Sequence, residues 1–365
     1  METGTQQQHR SFDRGAGELV LTAPEGPRLG RRKPETRIPE EVGPVHQLYS
    51  DSDLVQLRRS LRPDKSDSDS KIWELAKQLP PAPRLLSFGA TPEQDFFKRL
   101  LDRFPHMREP IDLFADMAGL SIATNSGYQS PPILLEGPPG IGKTAFANAL
   151  ARAVGTKMEV LNMAGITAGF IISGSHASWS SGKQGRIFDL LTSTNASANP
   201  VVVLDELDKV GGDHRFDPCG SLYTLLEPSS ARSFKDEFIP LPIDASTIIW
   251  IATCNRAVDI PSPLLSRFDA FAIEVPDSNA WAAIVRSIWS DLFASTPRWA
   301  RMFSPTLADD VITMLVSLGD ARDISRVLTR AVARAARAGR AVLVPDDVRA
   351  SHPSNSRKRR PIGFV

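Results

Sequence analysis

Eight residues, Gly137-Pro138-Pro139-Gly140-Ile141-Gly142-Lys143-Thr144, constrain this chain more than any other stretch. They match the pattern G-x-x-x-x-G-K-[ST] at every fixed position. Glycines there keep Cβ atoms out of the way, so backbone N–H groups can crowd one anionic ligand. The apolar Ile133-Leu134-Leu135 before the loop reads as a strand, and Thr144 to Ala153 after it reads as a helix. Amides and a helix N-terminus then converge on one point, which is the geometry of a phosphate nest. In that nest Lys143 is expected to neutralise β- and γ-phosphates, and Thr144 to offer its hydroxyl to Mg²⁺. Average residue usage gives such a match by chance in about one chain in a hundred of this length. The eight residues therefore point to ATP, with Mg²⁺, as the bound species.

Two more apolar runs, Val201 to Leu204 and Ile248 to Ala252, are nearly continuous, as in strands buried on both faces of a parallel sheet. The first ends in Asp205-Glu206, about sixty residues after the glycine loop, where a neighbouring parallel strand is expected. At a strand's carboxyl end Asp205 can hold the Mg²⁺ shell, usually through water, while Glu206 can polarise an attacking water. Past Pro276 the strands stop, and helices are expected over 278–294, 306–318 and 321–338. In the last of these Ile324, Val327, Leu328, Ala331, Val332 and Ala335 share one face.

Upstream, Thr91-Pro92-Glu93-Gln94 has the form of an N-cap, a proline at N1 and a capping-box glutamine. Phe96, Phe97, Leu100, Leu101 and Phe104 follow at helical spacing, and a second helix is expected from Glu109 to Ala123. Residues 1–70 are rich in Gly, Pro, Ser, Gln and charge. Runs such as Arg31-Arg32-Lys33-Pro34 and Ser66-Asp67-Ser68-Asp69-Ser70 suggest a disordered arm, with order beginning near Ile72. The expected division is an arm over 1–70, a helical lead-in over 71–108, an α/β nucleotide-binding domain over 109–276, a helical lid over 277–350 and a basic tail over 351–365.

Composition narrows the setting. Forty-three basic against forty-two acidic residues leave a formal charge of +1 and no global nucleic-acid footprint. A local basic patch remains open, and the tail Ser356-Arg357-Lys358-Arg359-Arg360 is basic. Cys219 and Cys254 are the only cysteines, so neither a disulfide framework nor a cysteine-rich metal site is expected. A polar Met1 to Arg10 and the lack of an apolar run of about 18 residues give no sign of a secretory leader or membrane span. The expected location is a reducing cytoplasm.

Over roughly residues 105–350 the sequence resembles the AAA+ ATPases, and within them the ATPase module of Lon proteases. Beyond the two phosphate motifs, three stretches carry the likeness: Gly174 through Trp179 to Ile187, Asp205 to Lys209 followed by Asp217 to Pro228, and Ile260 to Phe268. The resemblance implies a P-loop NTPase fold, with a parallel sheet flanked by helices and followed by a small all-helical lid. It also implies roles. Asn255 corresponds to the sensor that orients water against the γ-phosphate. Arg267 matches the arginine finger that reaches a neighbour's ATP, and Arg322 matches the lid arginine that contacts phosphate. Trp179 matches the aromatic that projects into a ring's central channel and grips unfolded polypeptide, where large flat side chains suit many sequences. Its polar flanks, Ser178, Ser180, Ser181 and Gly182, suit an exposed loop.

The likeness has gaps. Lon proteins continue into a proteolytic domain with a Ser-Lys pair, whereas here about fifteen residues follow the lid. A motor without protease activity of its own is expected, with a protein substrate and with any peptidase or adaptor supplied separately; the resemblance implies a hexameric ring. A second reading is an AAA+ ATPase acting on DNA, such as a loader or transposition helper, supported only by the basic tail and the arginine-bearing last helix. A third, an ATP-binding switch that rarely turns over, is disfavoured by the presence of Glu206 and Arg267.

Overall fold

The computed structural model describes residues 44–352 apart from 87–94, 125, 167, 194–196, 211–216 and 297. At its start, strands β1 (Val45–Gln47) and β2 (Pro83–Leu85) pair antiparallel and enclose helices α1 (Asp51–Ser60) and α2 (Asp67–Gln78). The expectation of a disordered arm reaching residue 70 is thus wrong for residues 44–70, while 1–43 lie outside the described residues. The acid-serine run is a helix start. The Ser66 hydroxyl accepts the Asp69 N–H at 3.2 Å, and Asp67 and Asp69 occupy the first turn, where negative charge meets the positive end of the helix. Ile72 and Ala76 then bury one side of α2 against the main core. Replacing this cap, Ser66→Ala, should cost about 1 kcal/mol locally and speed amide exchange across 67–78 about fivefold. Unchanged exchange would show that the hydroxyl contributes nothing.

Helices α3 (Asp95–Arg103) and α4 (Arg108–Thr124) fall where the apolar spacing puts them. The capping segment Thr91 to Gln94 lies outside the described residues. The sheet domain then runs β3 (Ile133–Glu136), α5 (Lys143–Val154), β4 (Met158–Asn162), α6 (Phe170–Ser173), α7 (Arg186–Thr192) and β5 (Val201–Asp205). It continues through α8 (Gly220–Leu225), α9 (Pro228–Ala231), the hairpin β6 (Phe234–Lys235) and β7 (Pro242–Ile243), β8 (Ile249–Cys254), α10 (Ser262–Leu265) and β9 (Asp269–Ala272). The five long-range strands lie in the order β4-β5-β8-β3-β9, every neighbouring pair parallel.

This order corrects one expectation. Strand β5, which ends in the acids, does not border β3; β8 lies between them. Segments alike in apolar character give no cue to which one takes the middle place. Alternation does decide the faces. Leu134, Val202, Leu204, Trp250 and Ala252 join one core cluster, while Ile133, Leu135, Val201, Val203, Ile249 and Ile251 join the other. Sheet strands covered on both sides account for the unbroken apolar runs.

The lid is α11 (Ser278–Ser295), α12 (Asp309–Val316), α13 (Ala321–Arg337) and α14 (Pro345–Ser351). Its own core contains Trp281, Val285, Trp289, Val311 and Leu315 together with the six apolar residues of α13 named above. Asp277 caps α11 by accepting the Ala280 N–H at 2.7 Å, and Asp320 caps α13 by accepting the Arg322 and Asp323 N–H groups. Among the described residues no helix is long and apolar enough to cross a membrane. The basic tail at 356–360 lies outside them.

Candidate active site

The glycine loop leaves the carboxyl end of β3. Gly140 and Gly142 have φ values of 82° and 97°, a region where a Cβ is disfavoured. A Cβ on Gly140 would also lie 2.0 Å from Asp320 Oδ2. Gly142 turns the chain into α5, whose first residue is Lys143. The Lys143 side chain is buried, and its ammonium donates to Gly137 O at 2.6 Å and Pro138 O at 2.9 Å and reaches Asn255 Oδ1 at 3.5 Å. Burial holds its pKa below the ordinary lysine value, partly opposed by Cys254, Asp205 and Asp208.

The acids stand opposite. Thr144 Oγ1 donates to Asp205 Oδ1 at 2.9 Å. From the intervening strand, Thr253 Oγ1 donates to the same oxygen at 2.7 Å and accepts the Glu206 N–H at 3.1 Å. Glu206 itself has φ 57°, the one positive value at a non-glycine among the described residues. Left-handed backbone there costs about 1 kcal/mol or more, so the surrounding bonds must over-determine it. One such bond is the Thr253 contact. The strained turn ends β5 and brings Glu206 into the cavity wall. Asp208, one turn on, has a fully buried side chain whose Oδ2 accepts the Asn255 N–H at 3.1 Å, fixing the start of the loop after β8.

The lid closes the third side. Ala321 N–H donates to Gly140 O at 2.9 Å, so the first turn of α13 rests directly on the glycine loop. Arg322 and Ser325 from that turn line the cavity with Lys143, Thr144, Asp205, Glu206 and Asn255. Arg326 also lines it but pairs with Asp323 at 3.2 Å. The cavity measures about 1110 Å³, ample for a drug-sized or nucleotide ligand. Its far wall is more apolar, with Ala149, Ile288 and Leu292, and there Arg103 of α3 forms an ion pair with Asp291 of α11. His106 braces the loop from behind, its Nε2 2.9 Å from Ile141 O, which accepts; burial pushes its pKa below the usual histidine value, partly opposed by that bond.

The oxygen donors suit Mg²⁺. That ion keeps several waters and takes one or two carboxylates plus phosphate oxygens rather than a full protein cage. Asp205 supplies one carboxylate with the Thr144 hydroxyl beside it, and among the described residues no cluster of three or more His, Cys, Asp or Glu forms a cage.

Two residues singled out from the sequence stand elsewhere. Arg267 follows α10 outside this cavity, its guanidinium 5.4 Å from the centre of the Tyr223 ring. Trp179 is 48% exposed, at the turn of a loop closed by the Ser175 N–H to Lys183 O bond of 3.0 Å. Its ring meets the exposed Phe170 edge to face at 6.2 Å, beside a cleft of about 560 Å³ that Ser173, Ser221 and Thr224 help to line. The start of α2 supports this loop, Ser68 Oγ donating to Ala177 O at 3.0 Å and Lys71 Nζ to Ser180 O at 3.3 Å. Sequence reasoning missed Thr253, Asp208, Asp320 and the Arg103–Asp291 pair. Thr253 alone left a signal, as a polar residue closing an apolar strand immediately before Cys254 and Asn255.

Residues 133–276 match the model of the ATPase family associated with various cellular activities (AAA). The peroxisomal Lon protease homolog 2 of Arabidopsis thaliana is 38% identical over 148 residues, covering 40% of this chain and 16% of that protein. The Lon protease of Nitrosococcus oceani is 30% identical over 271 residues, covering 72% of this chain and 33% of its own length. The chain thus spans a third or less of these relatives. Among solved structures, the RuvB Holliday junction branch migration motor of Thermotoga maritima overlaps with a TM-score of 0.44 and 16% identity, over 71% of this chain and 68% of that one.

Proposed function

Residues 133–276 form an ATPase domain of the AAA family, related to the ATPase module of Lon proteases, and on that premise we propose that this chain hydrolyses Mg-ATP in a ring of identical copies to move or unfold polypeptide. The described residues carry the motor, and none is assigned to peptide-bond cleavage.

The chemistry assigned to these residues is phosphoryl transfer by position and charge. The loop amides and Lys143 hold the triphosphate, the ammonium exchanging its present carbonyl partners for phosphate oxygens. Thr144 and Asp205 would hold Mg²⁺, which when bound would offset the charge of the phosphates. Glu206, kept in its strained turn by Thr253, accepts a proton from the attacking water while Asn255 orients that water. Arg322 senses phosphate from the lid, whose first turn is bonded to Gly140.

One observation carries the polypeptide part of this reading. Trp179 is an exposed indole paired with an exposed phenylalanine, on a loop with polar flanks. A large apolar side chain held out in water is a contact surface more often than a packing element when it has an exposed aromatic neighbour and an adjoining cleft. Trp179→Ala should therefore keep basal ATP turnover and the melting temperature, but lose the increase in turnover that permanently unfolded casein produces in the unaltered protein. Stimulation by duplex DNA instead of casein would replace this reading with the DNA-acting one. Loss of folding in the variant would show that the indole is structural.

A further inference from the structure

Helix α8 faces two ways. Ser221 and Thr224 line the cleft beside Trp179, whereas Tyr223, between them, is half-buried against the main core and carries Arg267 on its ring. The guanidinium has few other holds. One of its terminal nitrogens donates to Pro263 O, and its Nε is buried without a hydrogen-bond partner. Among the described residues no carboxylate lies within ion-pair distance of it, in contrast to Arg103, Arg186, Arg326 and Arg340, each of which has one. A carboxylate beside Arg267 would compete with phosphate for the guanidinium. An aromatic face does not, because it attracts the cation through its quadrupole and leaves the N–H edge free to donate. Burial raises the Tyr223 pKa, with Cys219 and Asp217 adding to the effect and Arg267 opposing it.

We propose that Tyr223 is a positioning residue for Arg267, holding the guanidinium by its ring so that it points toward the triphosphate of a neighbouring copy. The proposal rests on the reading of Arg267 as acting between copies. It also gives α8 a place in coupling, since one short helix borders the Trp179 cleft and steadies the guanidinium.

The test is steady-state ATP turnover of Tyr223→Leu and Tyr223→Phe, each made in the unaltered chain and in Arg267→Ala, with melting temperatures measured alongside. A cation–π contact of ordinary strength corresponds to a change of about two- to fivefold. Tyr223→Leu should lower kcat by about that factor with KM for ATP unchanged, and Tyr223→Phe, which keeps the ring, should match the unaltered protein. In the Arg267→Ala background neither substitution should lower kcat further. Equal slowing by Tyr223→Leu in both backgrounds, or equal loss with Phe and Leu, overturns the proposal. Normal turnover by Arg267→Ala alone overturns the inter-copy reading itself, and so separates the two failures. If Tyr223→Leu melts early, Tyr223→Met supplies the same comparison with a volume nearer that of the ring.

Discussion

Glu206→Gln is expected to bind ATP as tightly as the unaltered protein and to lose about 10²- to 10⁴-fold of its turnover, the contribution of a general base. The substitution keeps the size and hydrogen-bonding reach of the side chain while removing its ability to accept a proton. The phosphate contacts of Lys143 and the glycine loop are untouched, so affinity should persist. Its neighbours should also persist, because Thr253 holds Glu206 through the backbone N–H and Asp205 through the carboxylate. Calorimetric titration with ATP and phosphate-release kinetics measure the two halves separately. Turnover within twofold of normal would remove Glu206 from the chemistry, whereas loss of ATP affinity would mean that the left-handed turn at this position collapses without its carboxylate.

That turn shows where sequence reading ends. The glycine loop, the apolar strands and the face of α13 were legible because each is a local pattern with a local cause: missing Cβ atoms, burial on two sides, a 3.6-residue period. The partners of those elements were not. Thr253 matters because β8 happens to lie between β3 and β5, a fact of strand order that no local pattern states. Asp320 is an ordinary N-cap by sequence, yet a Cβ on Gly140 would touch its carboxylate. The acid-serine run before Ile72 misleads for the opposite reason. Its composition suggested solvation, but Ser66 capping Asp69 and an apolar stripe behind it meet the local rules for a helix start. Spacing is a better guide there than composition. The contact of that helix with the Trp179 loop, 109 residues away in sequence, lay beyond any such rule.

Arg267→Ala should lower turnover about 10³-fold or more, as removal of an arginine that stabilises transition-state charge does in related phosphoryl transfers. The stronger expectation concerns mixtures. Arg267 lies outside the cavity formed by its own chain, against Tyr223, while Lys143, Thr144, Asp205, Glu206, Asn255 and Arg322 all line that cavity. If its guanidinium serves the next copy around a ring, each working interface needs Lys143 from one chain and Arg267 from its neighbour, as a head-to-tail contact provides. Arg267→Ala and Lys143→Ala chains are each inactive alone for different reasons. Mixed in equal amounts and allowed to exchange, they place an intact Lys143 against an intact Arg267 at about one interface in four, so turnover should recover to about a quarter of normal. An arginine acting within its own chain permits no such recovery, because every chain in the mixture then lacks one of the two groups. A mixture that stays at the level of its weaker component, under conditions where labelled subunits are seen to exchange, would assign Arg267 to its own chain.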